Sequence, residues 1–340
     1  MITSARRGLR GFAAAAAVIG VAAALAACSS GGSSDASSTA ASAAGDPHGT
    51  LEQSSIKVTG IKGPGLVPLQ IAIDQTAEDY GLSIEFVPAT DSGAATTSVI
   101  SGDVQIANSS YFGVIDAINQ GLPLEVLAED WASTLNTGFL MARPGSGIKT
   151  LADLEGKTVN VISPTSSHAI KLHDTMIKQG LDPDKVNWVS LPYSQVADAF
   201  AQGTIDASSA VGTTLSTVKA AGATVVFDYA EGEYEGMAES GWITTTDWAA
   251  ANPNSAAAFQ CAIFKAQGLI NTDEELYVQE FQKFLGAPEA AARADVRQNY
   301  QTTNRIDALN KNVEVYQSSG LYSGGDFDFA DHTVAAPTNC

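Results

Sequence analysis

Gly102-Asp-Val-Gln-Ile-Ala-Asn-Ser-Ser110 and Gly203-Thr-Ile-Asp-Ala-Ser-Ser209 are the stretches whose reading decides the fold. In each, a glycine opens a short apolar strand that runs into a polar turn. A helix-like stretch follows, closed by Gly121 in the first copy and Gly222 in the second, and then a second strand, Leu124-Glu-Val-Leu127 or Thr224-Val-Val-Phe227. The interval from Gly102 to Gly121 equals that from Gly203 to Gly222.

The echo extends upstream. Ile56-Lys-Val-Thr-Gly-Ile61 matches Lys157-Thr-Val-Asn-Val-Ile162 as an opening strand, and each is followed by a loop and a helix ending in Gly-Leu, at Gly81-Leu82 and Gly180-Leu181. Each copy then has a strand, Ile84-Glu-Phe-Val87 or Val186-Asn-Trp-Val189, and a second helix reaching Gly102 or Gly203. Strands alternating with helices of this length indicate parallel βαβ units. Two such runs of similar length predict an α/β protein of two lobes.

The N-terminus reads as an address. Arg6, Arg7 and Arg10 precede an uncharged apolar run, and Leu25-Ala-Ala-Cys28 resembles the lipobox of bacterial lipoproteins. Residues 1–27 are therefore expected to be a removed signal peptide, with Cys28 acylated as the new N-terminus. Residues 28–55 are rich in Ser, Ala and Gly, too poor in large apolar groups to fold, and read as a flexible tether. His48, inside that tether, reads as solvated.

The chain carries 18 basic against 37 acidic residues, a formal net charge of −19, and three of the arginines sit in the leader. Such a balance gives no electrostatic footprint for nucleic acid or an anionic bilayer, so contact with membrane is expected through the lipid alone.

Residues 56–141 read as the first part of lobe one, with Phe139-Leu-Met-Ala142 as the strand crossing out of it. Residues 142–239 read as lobe two, and a second crossing is expected at Ser240-Gly-Trp-Ile-Thr244. Residues 240–320 return to lobe one as helices, over 254–270, 273–285, 289–301 and 305–318, and 321–340 form a tail. The first lobe is thus discontinuous, and two crossing strands act as the hinge. Trp188, alternating with Val186 on a strand, reads as core.

The sequence assembles no catalytic or metal-binding motif. Ile148 stands where a phosphate loop ending at Lys149-Thr150 needs glycine, and Leu151 fails the same test for Lys157-Thr158. The sequence contains no Gly-x-Ser-x-Gly elbow and no His-Glu-x-x-His helix. His168 and His173 lie five apart and do not share a helix face. No nucleophile, base and orienting group emerge, no cofactor is expected, and the chain reads as a non-enzyme.

The strand ends tell more. They are repeatedly Ser, Thr, Asn, Gly or Asp, at the carboxyl ends where open α/β sheets bind ligands and helix N-termini present free N–H groups. Serines there serve equally well as helix caps, Asp91 or Ser92 for one helix and Ser109 or Ser110 for the next. Two such lobes face to face make a cleft lined with donors.

On these residues the chain resembles the solute-binding proteins of bacterial ABC importers, of the nitrate/sulfonate/taurine and thiamine-precursor type. Ser101-Gly-Asp-Val-Gln-Ile-Ala107 and Gln202-Gly-Thr-Ile-Asp-Ala207 look like that family's Gly-x-Val-Asp-x-Ala, with Gln105 in place of an aspartate. Thr150-Leu-Ala-Asp-Leu-Glu-Gly-Lys-Thr-Val159 is similar to its linker into lobe two. The resemblance implies a type II periplasmic-binding fold that traps its ligand by lobe closure. It implies an extracytoplasmic, lipid-anchored monomer that serves permease transmembrane subunits and a cytoplasmic ATPase. By motif order the pocket should include Gly65, Leu66, Asp91, Ser92, Ser109, Ser110, Tyr111 and Trp131 from lobe one, and Ser166, His168, Tyr193 and Gly212 from lobe two. Trp131, Tyr111 and Tyr193 would clamp a flat body while serines and amides hold a singly charged end. A small organic sulfonate or carboxylate, aromatic ones included, fits that set, since only Lys62 among the pocket turns is basic. A cationic thiamine-like pyrimidine held by Asp91 is the alternative ligand, and a sensor-presenting lipoprotein is the alternative role.

Cys28 is consumed by lipid, which leaves Cys261 and Cys340 in a compartment that favours disulfides. A bridge between them is expected, with a buried free thiol at Cys261 as the other reading.

Overall fold

The structure, a computed structural model, describes residues 43–340. The leader, Cys28 and the first part of the tether lie outside the described residues. Along the chain run β1 (Ser55–Ile61), β2 (Ser83–Ala89), β3 (Ile106–Ser110) and β4 (Leu124–Ala132). Then come β5 (Gly138–Ala142), β6 (Thr158–Val161), β7 (Asn187–Ser190), β8 (Ala207–Val211) and β9 (Thr224–Asp228), and finally β10 (Ala238–Thr245) and β11 (Asn299–Tyr300). The helices of the first half are α1 (Val67–Ile71), α2 (Ser92–Ile100), α3 (Tyr111–Asn119), α4 (Ser167–Lys178), α5 (Tyr193–Gln202) and α6 (Gly212–Ala220). Those of the second are α7 (Thr246–Ala251), α8 (Pro253–Thr272), α9 (Glu274–Leu285), α10 (Glu289–Ala294) and α11 (Ile306–Ser318).

Two sheets result, ordered β11-β4-β10-β3-β1-β2 and β7-β6-β8-β5-β9. The sequence echo is visible as topology. In both sheets the opening strand is flanked by its two parallel partners, β2 and β3 around β1, β7 and β8 around β6. Each sheet then takes an antiparallel strand, β10 in the first and β5 in the second, beside β4 or β9, and the first adds the short antiparallel β11 at its edge. Strand β5 and all but the last residue of β10 are buried, as strands covered by helices on both faces must be.

The first crossing falls earlier than the sequence suggested. Phe139–Ala142 does not link the sheets: as β5 it is an interior strand of the second, and the chain crosses at Ser133–Thr137. The return crossing likewise precedes β10 and lies at Tyr229–Met237. The two crossings are bonded together, Ser133 N–H to Met237 O at 2.7 Å and Gly236 N–H to Ser133 O at 2.9 Å. A fully apolar strand suits either sheet, so its residues could not reveal which one it enters.

The opening helix of lobe one is broken into a 3-10 turn at Pro64–Leu66, α1, a π-type turn at Ala72–Thr76 and a 3-10 turn at Glu78–Tyr80. The helix expected over 289–301 stops at Ala294, and Asn299–Tyr300 pairs instead with the end of β4. Trp188 is half-buried, stacked on His173 at 4.7 Å, and not central core.

The tether ends sooner than composition implied. Residues 45–54 dock on the first turn of α8, where the Glu52 carboxylate accepts the N–H groups of Asn254 and Ser255, both at 3.1 Å. Asp46 N–H donates to Asn254 Oδ1 at 2.9 Å, and His48 Nε2 lies 3.2 Å from Asn339 O beside the C-terminus, so His48 is not merely solvated. Counting apolar groups misses a segment held by a carboxylate on a helix N-terminus. Close by, Cys261 of α8 and Cys340 are joined, with Cα atoms 5.1 Å apart.

Candidate functional site

The helices that follow the cleft-side strand ends differ in how they begin. Asp91 caps α2, accepting the N–H of Ala94 at 2.8 Å, and Ser166 caps α4, accepting that of Ala169 at 3.4 Å. The first residues of α3, α5 and α6 have no side-chain cap: their capping positions are Ser110, Pro192 and Val211. Pro192 and Val211 carry no side-chain acceptor, whereas Ser110 has one and leaves it unused. Among the described residues its Oγ is buried without a partner.

The lobe-one half is built around Trp131. A Cβ on Gly65 would lie 2.8 Å from the indole Nε1, so only glycine lets the turn after β1 lie against the ring, next to Leu66. Tyr300 fastens the same turn by donating its hydroxyl to Pro64 O at 2.8 Å. Across the sheet Ser240 opposes both Trp131 and Ser110, and among the described residues its Oγ also lacks a partner although the residue is only 8% exposed. Behind the indole the Asp130 carboxyl is fully buried, accepting from Asn108 Nδ2 at 2.9 Å and from Gln267 Nε2 at 3.0 Å. Ser240 Oγ approaches the same carboxyl without hydrogen-bond geometry. Burial pushes this carboxyl up to about 8, against the pull of the two amides, so it is mostly uncharged at neutral pH.

The lobe-two half is centred on His168. Its ring stacks on Tyr229 with centroids 4.1 Å apart, its Nδ1 shares a hydrogen bond of 3.2 Å with the Tyr193 hydroxyl, and a Cβ on Gly138 would lie 3.1 Å from its Nε2. Burial lowers His168 to about 4, so the imidazole is neutral. The Tyr229 hydroxyl in turn meets Ser209 Oγ at 2.6 Å. The halves approach at Gly212, whose φ of 50° is left-handed. A Cβ there would lie 3.9 Å from Pro64 Cγ of the opposite lobe.

Not every expected residue belongs to this arrangement. Ser109 points to the other face of β3, its hydroxyl 3.0 Å from that of Thr96. Tyr111 is fully buried core, packed edge-on against Phe329 at 5.4 Å with its hydroxyl over Gly241, so it cannot clamp a ligand. Asp91 and Ser166 are occupied as caps, and Ser92 lies in the first turn of α2 beside Asp91. The Lys62 ammonium sits 5.3 Å over the Phe284 ring. Gly65, Leu66, Ser110 and Trp131 do gather in lobe one, and His168, Tyr193 and Gly212 in lobe two. Sequence reasoning missed Asn108, Asp130, Ser240, Tyr229 and Tyr300. Only Glu129-Asp130, two acids closing an apolar strand, carried a readable signal.

A family model described as NMT1/THI5 like matches residues 78–273, more than half of the chain, and the chain belongs to that family. Among solved structures it is similar to the alkanesulfonate-binding protein SsuA from Xanthomonas axonopodis pv. citri bound to MOPS. That match has 17% identity and a TM-score of 0.66, covering 80% of this chain and 95% of that one. The periplasmic aliphatic sulphonate binding protein SsuA from Escherichia coli matches at 17% identity and a TM-score of 0.65, over 79% and 94% of the two chains. The periplasmic nitrate-binding protein NrtA from Synechocystis PCC 6803 matches at 17% and 0.61, over 72% and 70%. The fold is that of the periplasmic binding proteins.

Proposed function

We propose that the protein is an extracytoplasmic solute-binding component of an ABC importer, without catalytic activity of its own, that captures a small organic anion between its lobes. The observation that carries this reading is the set of uncapped helix N-termini at α3, α5 and α6, together with the buried, unpartnered hydroxyls of Ser110 and Ser240. Free N–H groups at a helix start and unused hydroxyls suit a carboxylate or sulfonate end. Trp131 and Tyr193 offer ring faces for its body, and Tyr229 backs the His168 ring. No excess cation is needed for a single charge: Asp130 is largely protonated, and Glu239 nearby is neutralised by Lys171. The sulfonates in the names of the SsuA proteins agree with that chemistry. One observation favours a basic heterocycle instead. Among the described residues the buried acid Asp130 has no cationic partner at hydrogen-bond distance, and a ligand cation would complete it.

A thermal-shift screen of sulfonates, carboxylates and heterocycles tests both. At a hundredfold excess over Kd a true ligand should stabilise the protein by about 2.7 kcal/mol. Trp131→Ala should weaken that ligand more than ten-fold by calorimetry, because buried aromatic anchors dominate such sites. Equal affinity in the variant would remove Trp131 from the site.

The lipobox supports attachment through Cys28, with the protein acting as a monomer beside its permease. Cys28→Ala should move the protein from the membrane to the soluble fraction and abolish the lipid mass increment. An unchanged fractionation pattern together with an unaltered mass would rule the anchor out.

A further inference from the structure

Ser167, Lys171, Asp174 and Lys178 recur along α4 at intervals of four, three and four, and so share one helix face. Ser167, Lys171 and Asp174 of that polar face are buried, the last two at 0% exposure, and only Lys178 at its end reaches the surface. An amphipathic helix ordinarily turns such a stripe to water. Here every member meets a group outside the second sheet and its helices. Lys171 Nζ pairs with the Glu239 carboxylate of β10 and donates to Ser133 Oγ of the first crossing at 3.0 Å. Ser167 Oγ donates to the other Glu239 oxygen at 2.6 Å. Asp174 accepts from the Tyr234 hydroxyl of the second crossing and from Ser318 Oγ of α11 at 2.5 Å. Lys178 meets Glu233 of the second crossing at 2.6 Å, and Lys311 of α11 reaches the same carboxylate at 3.3 Å. Helix α11 is itself fastened to lobe one, through the Tyr316 hydroxyl and the Asp116 carboxylate at 2.8 and 2.9 Å.

We propose that this stripe is a polar latch across the hinge, in which Lys171 and Glu239 are positioning residues that set the angle between the lobes. Helix α4 moves with lobe two, whereas Glu239 and α11 belong to lobe one and Ser133 to the strand leaving it. Any rotation about the crossings therefore has to lengthen or exchange these bonds. In a buried setting an ion pair has few partners to exchange with, so the latch favours a small number of discrete angles over a continuum. The latch also reaches the cleft: His168, which stacks on Tyr229, directly follows Ser167. Lobe angle and the lobe-two half of the site are thus held by adjacent residues of one helix turn.

The test needs no ligand. Spin labels introduced by non-cysteine chemistry at the exposed rim positions Lys62 and Ser216 report the lobe-to-lobe distance in the full chain, alongside the melting temperature. The wild type should give a narrow distribution. Lys171→Met/Glu239→Leu removes the ion pair without leaving a lone buried charge, and Ser133→Ala/Ser167→Ala removes only the two hydroxyls. Both double variants should broaden the distribution and extend it to longer distances, the second with a melting temperature within a few degrees of the wild type. Keeping opposite charges at the two positions, through Lys171→Arg/Glu239→Asp, should leave it narrow. Distributions superimposable on the wild type in both double variants would overturn the latch. So would broadening confined to the Lys171→Met/Glu239→Leu protein and accompanied by a collapsed melting temperature, which is the mark of a merely structural pair.

Discussion

Asp130→Asn is expected to flatten the pH dependence of stability between about pH 4 and pH 8 relative to the wild type. In the unfolded chain the Asp130 carboxyl releases its proton near 3.8, whereas in the fold burial holds the proton up to about 8. A group whose folded value is raised contributes its stability below the unfolded value and loses it as pH rises through the folded one. Each pH unit between the two costs the wild type about 1.4 kcal/mol, roughly 6 kcal/mol across the window. His168 works in the opposite direction. Its folded value of about 4 lies below the ordinary 6.5, so its contribution is present above 6.5 and is lost as pH falls toward 4. The two oppose each other on the acid side, and from pH 6.5 to 8 the Asp130 loss is not offset by His168. Urea titrations of both proteins from pH 4.5 to 8 measure the difference directly. The variant should gain on the wild type as pH rises, even after about 1 kcal/mol is lost in rearranging the Asn108 and Gln267 hydrogen bonds. Parallel profiles would mean that Asp130 ionises as an ordinary carboxyl.

Loss of the Cys261–Cys340 bond should destabilise the chain by about 4 kcal/mol. The bond spans a sequence separation of 79 residues, and the entropy of closing a loop of that size in the unfolded state sets the magnitude. In melting temperature this is a drop on the order of 10 °C. The effect has a location. Val334 N–H donates to Val126 O of β4 at 2.8 Å, and Gln260 of α8 donates to Val334 O at 3.3 Å, so the bond clamps a terminal segment that already touches the first sheet. Hydrogen exchange should therefore accelerate first at Val334 when the protein is reduced. A Cys261→Ala/Cys340→Ala protein that melts with the wild type would contradict the argument, as would two thiols titrating in the unfolded, unreduced chain.

Much of the fold was legible because the chain repeats its punctuation. Glycines close helices at Gly81, Gly121, Gly203 and Gly222 with φ between 67° and 87°, where other residues are strained. Apolar strands lie between them at matching intervals. What periodicity cannot carry is the partner of a strand buried on both faces, and that is why Phe139–Ala142 was given to the wrong side of the crossing. The site was legible to the level of a turn but not of a side chain. Ser109, Ser110 and Tyr111 are consecutive, yet the pleat turns Ser109 toward Thr96 and leaves Ser110 unpartnered, while the start of α3 buries Tyr111. Asp91, Ser166 and Ser110 all stand at helix starts, and nothing in their identities says that the first two are spent on caps. Tyr229 and Tyr300 come from a crossing and a two-residue strand that no motif marks, and Asp130 is marked only by the pair of acids near the end of an apolar strand.

The docking of residues 45–54 on α8 decides where a mechanical load enters the molecule. A pull arriving from upstream meets Asp46, then Glu52 on the first turn of α8, with Asn339 and the cystine alongside. All of these belong to the body that carries the first sheet, and neither crossing lies on the path. Under the proposed anchor at Cys28 and the proposed closure of the lobes, lobe one would be the mounted jaw and lobe two the swinging one. Closure would then proceed without dragging the mounting point, and the face that lobe one presents would stay put while lobe two sweeps.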